Sequence, residues 1–223
     1  MLTSRHTFRR VLLELRPDVI NIHFALTAFP VVDMFSGIKT IMNFQGPWFL
    51  EGLVEDSGVH GRIKSFFKKC IEKYVYRKVD HFIVLSVEFS EVLQNVFHIP
   101  PEKISIVPPI VDNQKFDILP TAIDYGVGSV CKLLTVRRLV KRTGIDLLLR
   151  ALAIIKNDAS EESFCFQLDI AGVGPHFDAL VRLTRDLGLS EYVTFCGFVS
   201  DEDLVDKYNK ADFSVMPTVA LEG

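Results

Sequence analysis

Six residues, Arg137 to Arg142, include four cations: Arg137, Arg138, Lys141 and Arg142. Before them Leu133, Leu134 and Val136, with Thr135 between, read as a buried strand. After Gly144 the spacing of Ile145, Leu148, Leu149 and Leu152 is that of one helix face. Strand, cationic loop, helix is how an open α/β sheet binds an anion. The loop sits at the carboxyl end of a strand. The helix start adds free N–H groups and the positive end of its dipole. Guanidinium groups add charge-assisted bonds of roughly 1.5–3 kcal/mol each. A diphosphate is the natural ligand. From composition alone, a solvated basic turn between two core elements is an equal alternative.

The elements that must position this loop recur along the whole chain. Phe8, Val11, Leu12 and Leu15 give an amphipathic helix that Pro17 ends. Strands are expected over 18–24 (DVINIHF), 39–44 (KTIMNF), 81–85, 104–107, 164–170, 192–195 and 213–216. Between the first two, a short helical segment carries Pro30 and Gly37, and after Phe44 the stretch QGPWFLEG reads as a loop with the only tryptophan. Helices are expected over 59–79, over 89–97 with Ser86 as a cap, and from Phe177 to a stop at Gly188. Another follows Ser200, with Asp203 three residues on in a capping-box-like arrangement. Periodicity fades over 112–129, where Pro120, Gly126 and Gly128 appear, and this reads as a linker. The expected architecture is therefore α/β, with two Rossmann-like doubly wound domains, residues 1–111 and 130–223, facing a cleft.

Segment 59–79 carries seven cations against one acid, Glu72. Its apolar side is expected to be Ile63, Phe66, Phe67, Cys70, Ile71, Tyr74 and Val75. Such a helix either lies on anionic lipid as a peripheral membrane contact or packs that face on a sheet. With 48% hydrophobic and 24% charged residues the chain can bury a full core, and a net charge of −3 argues against nucleic acid as a partner. Cys70, Cys131, Cys165 and Cys196 have no metal-ligand spacing and read as reduced core residues of a cytoplasmic protein. No run of apolar residues is long enough for a membrane span. The cations near the start, Arg5, Arg9 and Arg10, do not fit a signal peptide.

In this order the pieces TVRRLVKRTGIDLLLRAL, LDIAGVGP, LGLSEYVTFCGFVSDEDLVDKYNKADFSVMPT and the final Leu-Glu-Gly resemble the nucleotide-sugar half of glycosyltransferase family 4, which has the GT-B fold. RPDVINIHF, NFQGPW, VDHFIVLS and KISIVPPIVD resemble its first half. The resemblance implies a retaining transferase that moves a sugar from a nucleoside diphosphate sugar donor to an acceptor hydroxyl, glycan or lipid-linked, in glycan or surface polysaccharide synthesis. It implies no cofactor and no metal, so protein cations stabilise the departing diphosphate.

Carried over residue by residue, Arg138 matches the family's diphosphate arginine. Thr143 stands where a lysine is frequent, so Lys141 or Arg142 supplies the second cation. Arg137 replaces a frequent glycine and is expected to point to solvent. Gly172 and Gly174 match turn glycines that permit close backbone approach, and Phe198 and Val199 match positions that contact the base. Glu222 matches the glutamate on the transferred sugar and Gly223 an amide beside it, so Glu222 and Arg138 are the expected catalytic pair. Gln45 stands where a histidine is common; it can hydrogen-bond a sugar but cannot titrate. His23, at a strand end, is the other acceptor-side candidate, against a structural role. The family's first strand and its second glutamate find no match, so both domains are expected to be incomplete. A truncated non-catalytic remnant and a GT-B nucleotide-sugar epimerase are the alternative readings.

Overall fold

The computed structural model describes residues 2–56, 58–112, 116, 129–158 and 165–218. It divides into two compact units that meet in sequence at Ile110 and Val111. Most of the expected linker lies outside the described residues.

The first unit runs α1 (Leu2–Leu15), β1 (Val19–Ile22), α2 (Ala25–Ala28), a 3₁₀ turn (Val32–Phe35), β2 (Lys39–Phe44), α3 (Trp48–Glu55), α4 (Val59–Tyr76), β3 (His81–Val84), α5 (Val87–Phe97) and β4 (Ile104–Ile106). Its four strands are all parallel in the order β1-β2-β3-β4. Parallel neighbours need crossovers on the sheet faces, so the central strands β2 and β3 are the buried ones, while the edge strands β1 and β4 stay largely exposed. Phe44, Phe82 and Val84 are almost wholly buried there. Rings from β2, β3, α4 and α5 interlock: Phe44 lies edge-on to Phe89 at 5.6 Å, and Tyr76 packs against Phe97 at 4.8 Å and Phe82 at 5.6 Å. Ser86 caps α5 by accepting from the Phe89 N–H, and His98 ends that helix in the left-handed region.

Two expectations fail here. QGPWFLEG is not all loop, because α3 starts at Trp48. Residues 48–55 lack proline and glycine except Gly52, so only the first three residues of the stretch break structure. Most of the expected apolar side of α4 also faces outward, with Val75 buried as expected and Ile71 half-buried. Gly61, Ser65, Glu72, Val75 and Tyr76 face inward. Ile63, Phe66, Phe67 and Tyr74 are 52%, 64%, 62% and 45% exposed, and Cys70 is exposed with them. The physical reason is α3, which docks on the α4 side that carries small residues and hydrogen-bonding groups. The Ser65 hydroxyl donates to the Phe49 carbonyl, and the Glu72 carboxylate accepts from the Trp48 and Phe49 N–H groups at 2.9 and 3.2 Å. A buried, hydrogen-bonded interface has displaced the aromatic face from the core.

The second unit runs β5 (Val130–Val136), a 3₁₀ turn (Lys141–Thr143), α6 (Ile145–Asn157), β6 (Cys165–Ala171), α7 (Phe177–Asp186), β7 (Val193–Gly197), α8 (Asp201–Lys210) and β8 (Phe213–Ser214). Its parallel order is β7-β6-β5-β8. The strand order therefore reverses at β5, with β6 on one side and β8 on the other. Phe166, Leu168 and Ile170 alternate inward from β6 onto Ile145, Leu149 and Leu152 of α6. The capping box expected at Ser200 forms: its oxygen accepts from the Asp203 N–H and its hydroxyl meets the Asp203 carboxylate at 2.7 Å. Among the described residues no helix is long and apolar enough to cross a membrane.

The outward position of the α4 aromatics is testable by urea unfolding. Phe66→Ala is expected to change stability by no more than about 0.5 kcal/mol, the range of a surface site. Phe44→Ala, in the ring cluster, is expected to cost about 3–5 kcal/mol. A large loss at Phe66 would put the aromatic face back in the core.

Candidate functional site

In an open parallel sheet the natural binding crevice lies beyond the carboxyl ends of the strands where the order reverses. In the second unit that point is between β5 and β8. The basic loop leaves β5 there, as the sequence required. Its backbone is tied to the turn after β6: Arg137 N–H donates to the Ala171 carbonyl at 2.9 Å, Leu139 N–H to Val173 at 3.1 Å, and His176 N–H to Leu139 at 2.9 Å. Gly172 N–H in turn donates to the Gly197 carbonyl at the end of β7, at 2.7 Å. One hydrogen-bonded shelf thus joins the ends of three adjacent strands.

Gly172 and Gly174 are required by this shelf rather than by direct approach to a ligand alone. Gly172 has φ 142°, and a Cβ on it would lie 1.9 Å from the Arg137 carbonyl oxygen. A Cβ on Gly174 would lie 2.4 Å from the Leu139 carbonyl oxygen. No other residue fits either contact without parting the two loops. Leu139 is fully buried beneath the loop and anchors it. Thr143, the residue that replaces a lysine, is also buried; its hydroxyl donates to the carbonyls of Arg138 at 3.0 Å and Val140 at 2.7 Å. It closes the loop from inside and cannot reach a ligand. Gly144, at φ 68°, then turns the chain into α6. The first turn of α6 already carries Asp146, so a carboxylate shares the positive end that was expected to serve the anion alone.

Of the expected cations, Arg138 and Lys141 are exposed on this shelf and Arg142 is half-buried. Arg137 does not simply point to solvent. It is half-buried, and its Nη2 donates to the Thr218 hydroxyl at 2.6 Å, bridging the ends of β5 and β8 across the reversal point. No local pattern signals this contact, because its partner lies 81 positions away. Phe198 and Val199 follow Gly197 at the end of β7, beside the same shelf, with Phe198 81% exposed. Glu222 and Gly223 lie outside the described residues.

A cavity of about 580 Å³ lies between α8 and the sheet, lined by Lys132, Gln167, Asp169, Cys196, Phe198 and Lys207 among others. It touches Phe198 and Val199 but not Arg138. Lys207 is held in it by Asp169 at 2.8 Å, and that partner raises the lysine's pKa.

In the first unit His23 and Gln45 are both exposed, immediately beyond the carboxyl ends of the paired strands β1 and β2. Gln45 opens a turn in which Gly46 has φ 131° and Pro47 leads into α3. The Trp48 ring stands edge-on to Phe24 at 5.1 Å and under the Lys68 ammonium at 4.8 Å. Behind them Glu72 is 1% exposed, and its Oε1 also accepts from the Tyr76 hydroxyl at 3.1 Å. Sequence reading passed over Glu72 as a counter-charge; its position in register with Gly61 and Ser65, opposite the aromatics, was the available signal.

The family described as Glycosyltransferase Family 4 matches residues 1–115, and that described as Glycosyl transferases group 1 matches residues 130–223. The chain is 32% identical over 123 residues to the GDP-mannose-dependent alpha-(1-6)-phosphatidylinositol monomannoside mannosyltransferase of Mycolicibacterium smegmatis, covering 53% of this chain and 31% of the relative. It is 28% identical over 158 residues to mannosylfructose-phosphate synthase of Agrobacterium fabrum, covering 65% and 34%. Among solved structures, sucrose-phosphate synthase from Thermosynechococcus elongatus aligns with TM-score 0.76 at 18% identity over 97% of this chain and 54% of that one. Anabaena HepE in complex with UDP aligns with TM-score 0.66 at 15% identity, over 96% and 57%. The chain thus spans about a third of the length of these curated relatives and about half of these solved structures. The fold is that of the GT-B glycosyltransferases, and with over half of its residues inside the first match the chain belongs to glycosyltransferase family 4.

Proposed function

We propose that this chain carries the working core of a retaining glycosyltransferase that moves a sugar from a nucleoside diphosphate sugar to an acceptor hydroxyl, in glycan or surface polysaccharide synthesis. One observation carries the reading: a glycine-locked shelf at the strand reversal holds exposed Arg138 and Lys141 where a departing diphosphate would collect charge. When the bond from the anomeric carbon to the phosphate oxygen breaks, its electron pair leaves with the diphosphate. Guanidinium and ammonium groups carried on a fixed backbone stabilise that charge, in the role a metal ion would otherwise fill. We assign the base to Phe198 and Val199, on the β7 side of the shelf, from the family resemblance. The mannosyltransferase relative is named as dependent on GDP-mannose, and HepE is seen with UDP and glucose; a nucleotide-sugar donor for this chain is in keeping with both.

We assign the acceptor side to the first unit, with Gln45 and His23 at its strand ends. A lipid-linked acceptor fits two facts. The mannosyltransferase relative is named for a phosphatidylinositol monomannoside. The outward face of α4 combines Ile63, Phe66, Phe67 and Tyr74 with Arg62, Lys64, Lys73 and Arg77, an apolar strip flanked by cations that suits an anionic membrane surface. The protein then works from the cytoplasmic face, resting on the bilayer through α4. A non-catalytic remnant is the second reading. It is favoured by Thr143, whose inward hydroxyl removes one of the family's diphosphate contacts.

Two experiments test these assignments. Arg138→Ala is expected to cut sugar transfer on the order of a hundredfold or more, as loss of a charge stabiliser does; unchanged transfer would remove the shelf from the mechanism. In sedimentation with vesicles, the chain is expected to bind phosphatidylglycerol-containing but not pure phosphatidylcholine membranes, and a Phe66→Ser, Phe67→Ser double variant to lose that binding. Retention by the double variant would exclude α4 as the membrane face.

A further inference from the structure

We propose that Glu72 is a positioning residue for the Gln45–Trp48 turn, and that protonation of its carboxyl loosens that turn. The start of α3 is capped by an unusual division of labour. Pro47, the residue before α3, offers no side-chain cap. The N–H groups of Trp48 and Phe49 are satisfied instead by a carboxylate from a different helix, 24 and 23 positions away. Glu72 therefore caps α3 from beneath, while Ser65 pulls on the Phe49 carbonyl from the same face of α4. On one side Gln45 follows Phe44, paired with Val84 in the sheet; on the other, the turn is held at Trp48 and Phe49 by these contacts, since Gly46, at φ 131°, supplies no side chain.

The proton dependence follows from donor and acceptor counting. Ionised Glu72 accepts at both oxygens from two N–H groups and the Tyr76 hydroxyl. A protonated carboxyl turns one oxygen into a donor, and that oxygen then accepts more weakly from the N–H it faces. Against this, protonation removes a charge from a site that is 1% exposed. Burial is the larger effect: it lifts the Glu72 pKa to about 7, opposed by the Trp48, Phe49 and Tyr76 donors and helped slightly by the Glu51 carboxylate on α3. Burial, then Glu72 itself, pushes the Tyr76 hydroxyl well above its usual range, so Tyr76 stays a donor. The remaining charges at this interface are Lys68 and Lys69 of α4, which sit over the Trp48 and Phe49 rings at 4.8 and 4.9 Å. Helix α2, which also packs on α4, carries no titratable side chain.

The sign for stability is opposite to that of an ordinary surface carboxylate. Glu72 titrates near 7 when folded and at the usual 4.5 when unfolded, so the folded chain binds the extra proton. Its contribution to stability is full below pH 4.5 and is lost as pH rises through 7. Resistance to urea is therefore expected to fall between pH 5 and 8 in the native chain and to fall less in Glu72→Gln.

The only tryptophan is the natural reporter, since Trp48 is the first residue Glu72 holds. Its emission is expected to titrate with a midpoint near pH 7. In Glu72→Gln, a neutral isostere whose folding is verified by circular dichroism, emission should stay at the native low-pH value throughout. His23→Gln controls for the imidazole beside Phe24 and should leave the transition in place. A Glu72→Gln chain that titrates like the native one, or a transition that disappears in His23→Gln instead, would overturn the proposal. The link to the acceptor rests on the reading of Gln45 given above and separates cleanly: Glu72→Gln should raise the acceptor KM several-fold and leave the donor KM unchanged. If the fluorescence follows Glu72 while the acceptor KM does not move, the latch stands and the acceptor-side reading of that turn falls.

Discussion

The shelf at the ends of β5, β6 and β7 exists because two loops can touch backbone to backbone. Arg137 and Leu139 donate into the turn after β6, and Gly172 donates onward to Gly197. Only glycine at 172 and 174 leaves room for those bonds. The consequence is chemical. A cationic loop is normally mobile and its charges are averaged over many positions, whereas here the backbone of Arg138 is fixed by Thr143 from inside and by the glycine turn from the side. Under the proposed function, a fixed backbone narrows the positions from which the exposed Arg138 and Lys141 side chains can meet a departing anion.

The first unit solves a different problem with the same economy of contacts. A short turn at the end of β2 has to be held without a side chain of its own to anchor it. A buried carboxylate on α4 does this, at the cost of burying a group that prefers to be neutral there. That choice has a second effect. By giving its small and polar face to α3, α4 must show its aromatics to the outside. The hydrogen-bonded interface and the exposed apolar strip are thus two faces of one decision.

Most of the architecture was legible in the sequence because parallel strands and amphipathic helices write their periods directly. KTIMNF, the Ser86 and Ser200 caps and the basic loop between β5 and α6 all appear where pattern places them. What pattern misread was α4. A hydrophobic count assigns the aromatic side to the core, and only the tertiary contact with α3 reverses it. The sequence was equally silent on Arg137, since its bond to Thr218 joins strands brought together by the reversed order. It also had Cys70 in the core, although that residue shares the exposed aromatic face. The glycines were recognised, but their immediate partner is the neighbouring loop, a packing fact that no single segment encodes.

The most direct test of the central claim is titration calorimetry of the chain with UDP and GDP, repeated across a range of salt concentrations. If the shelf is a diphosphate site, one of the two nucleotides binds saturably at one site per chain, and the affinity falls as salt screens the guanidinium and ammonium groups. A chain with a folded circular-dichroism spectrum that binds neither nucleotide, at low salt as at high, would contradict it.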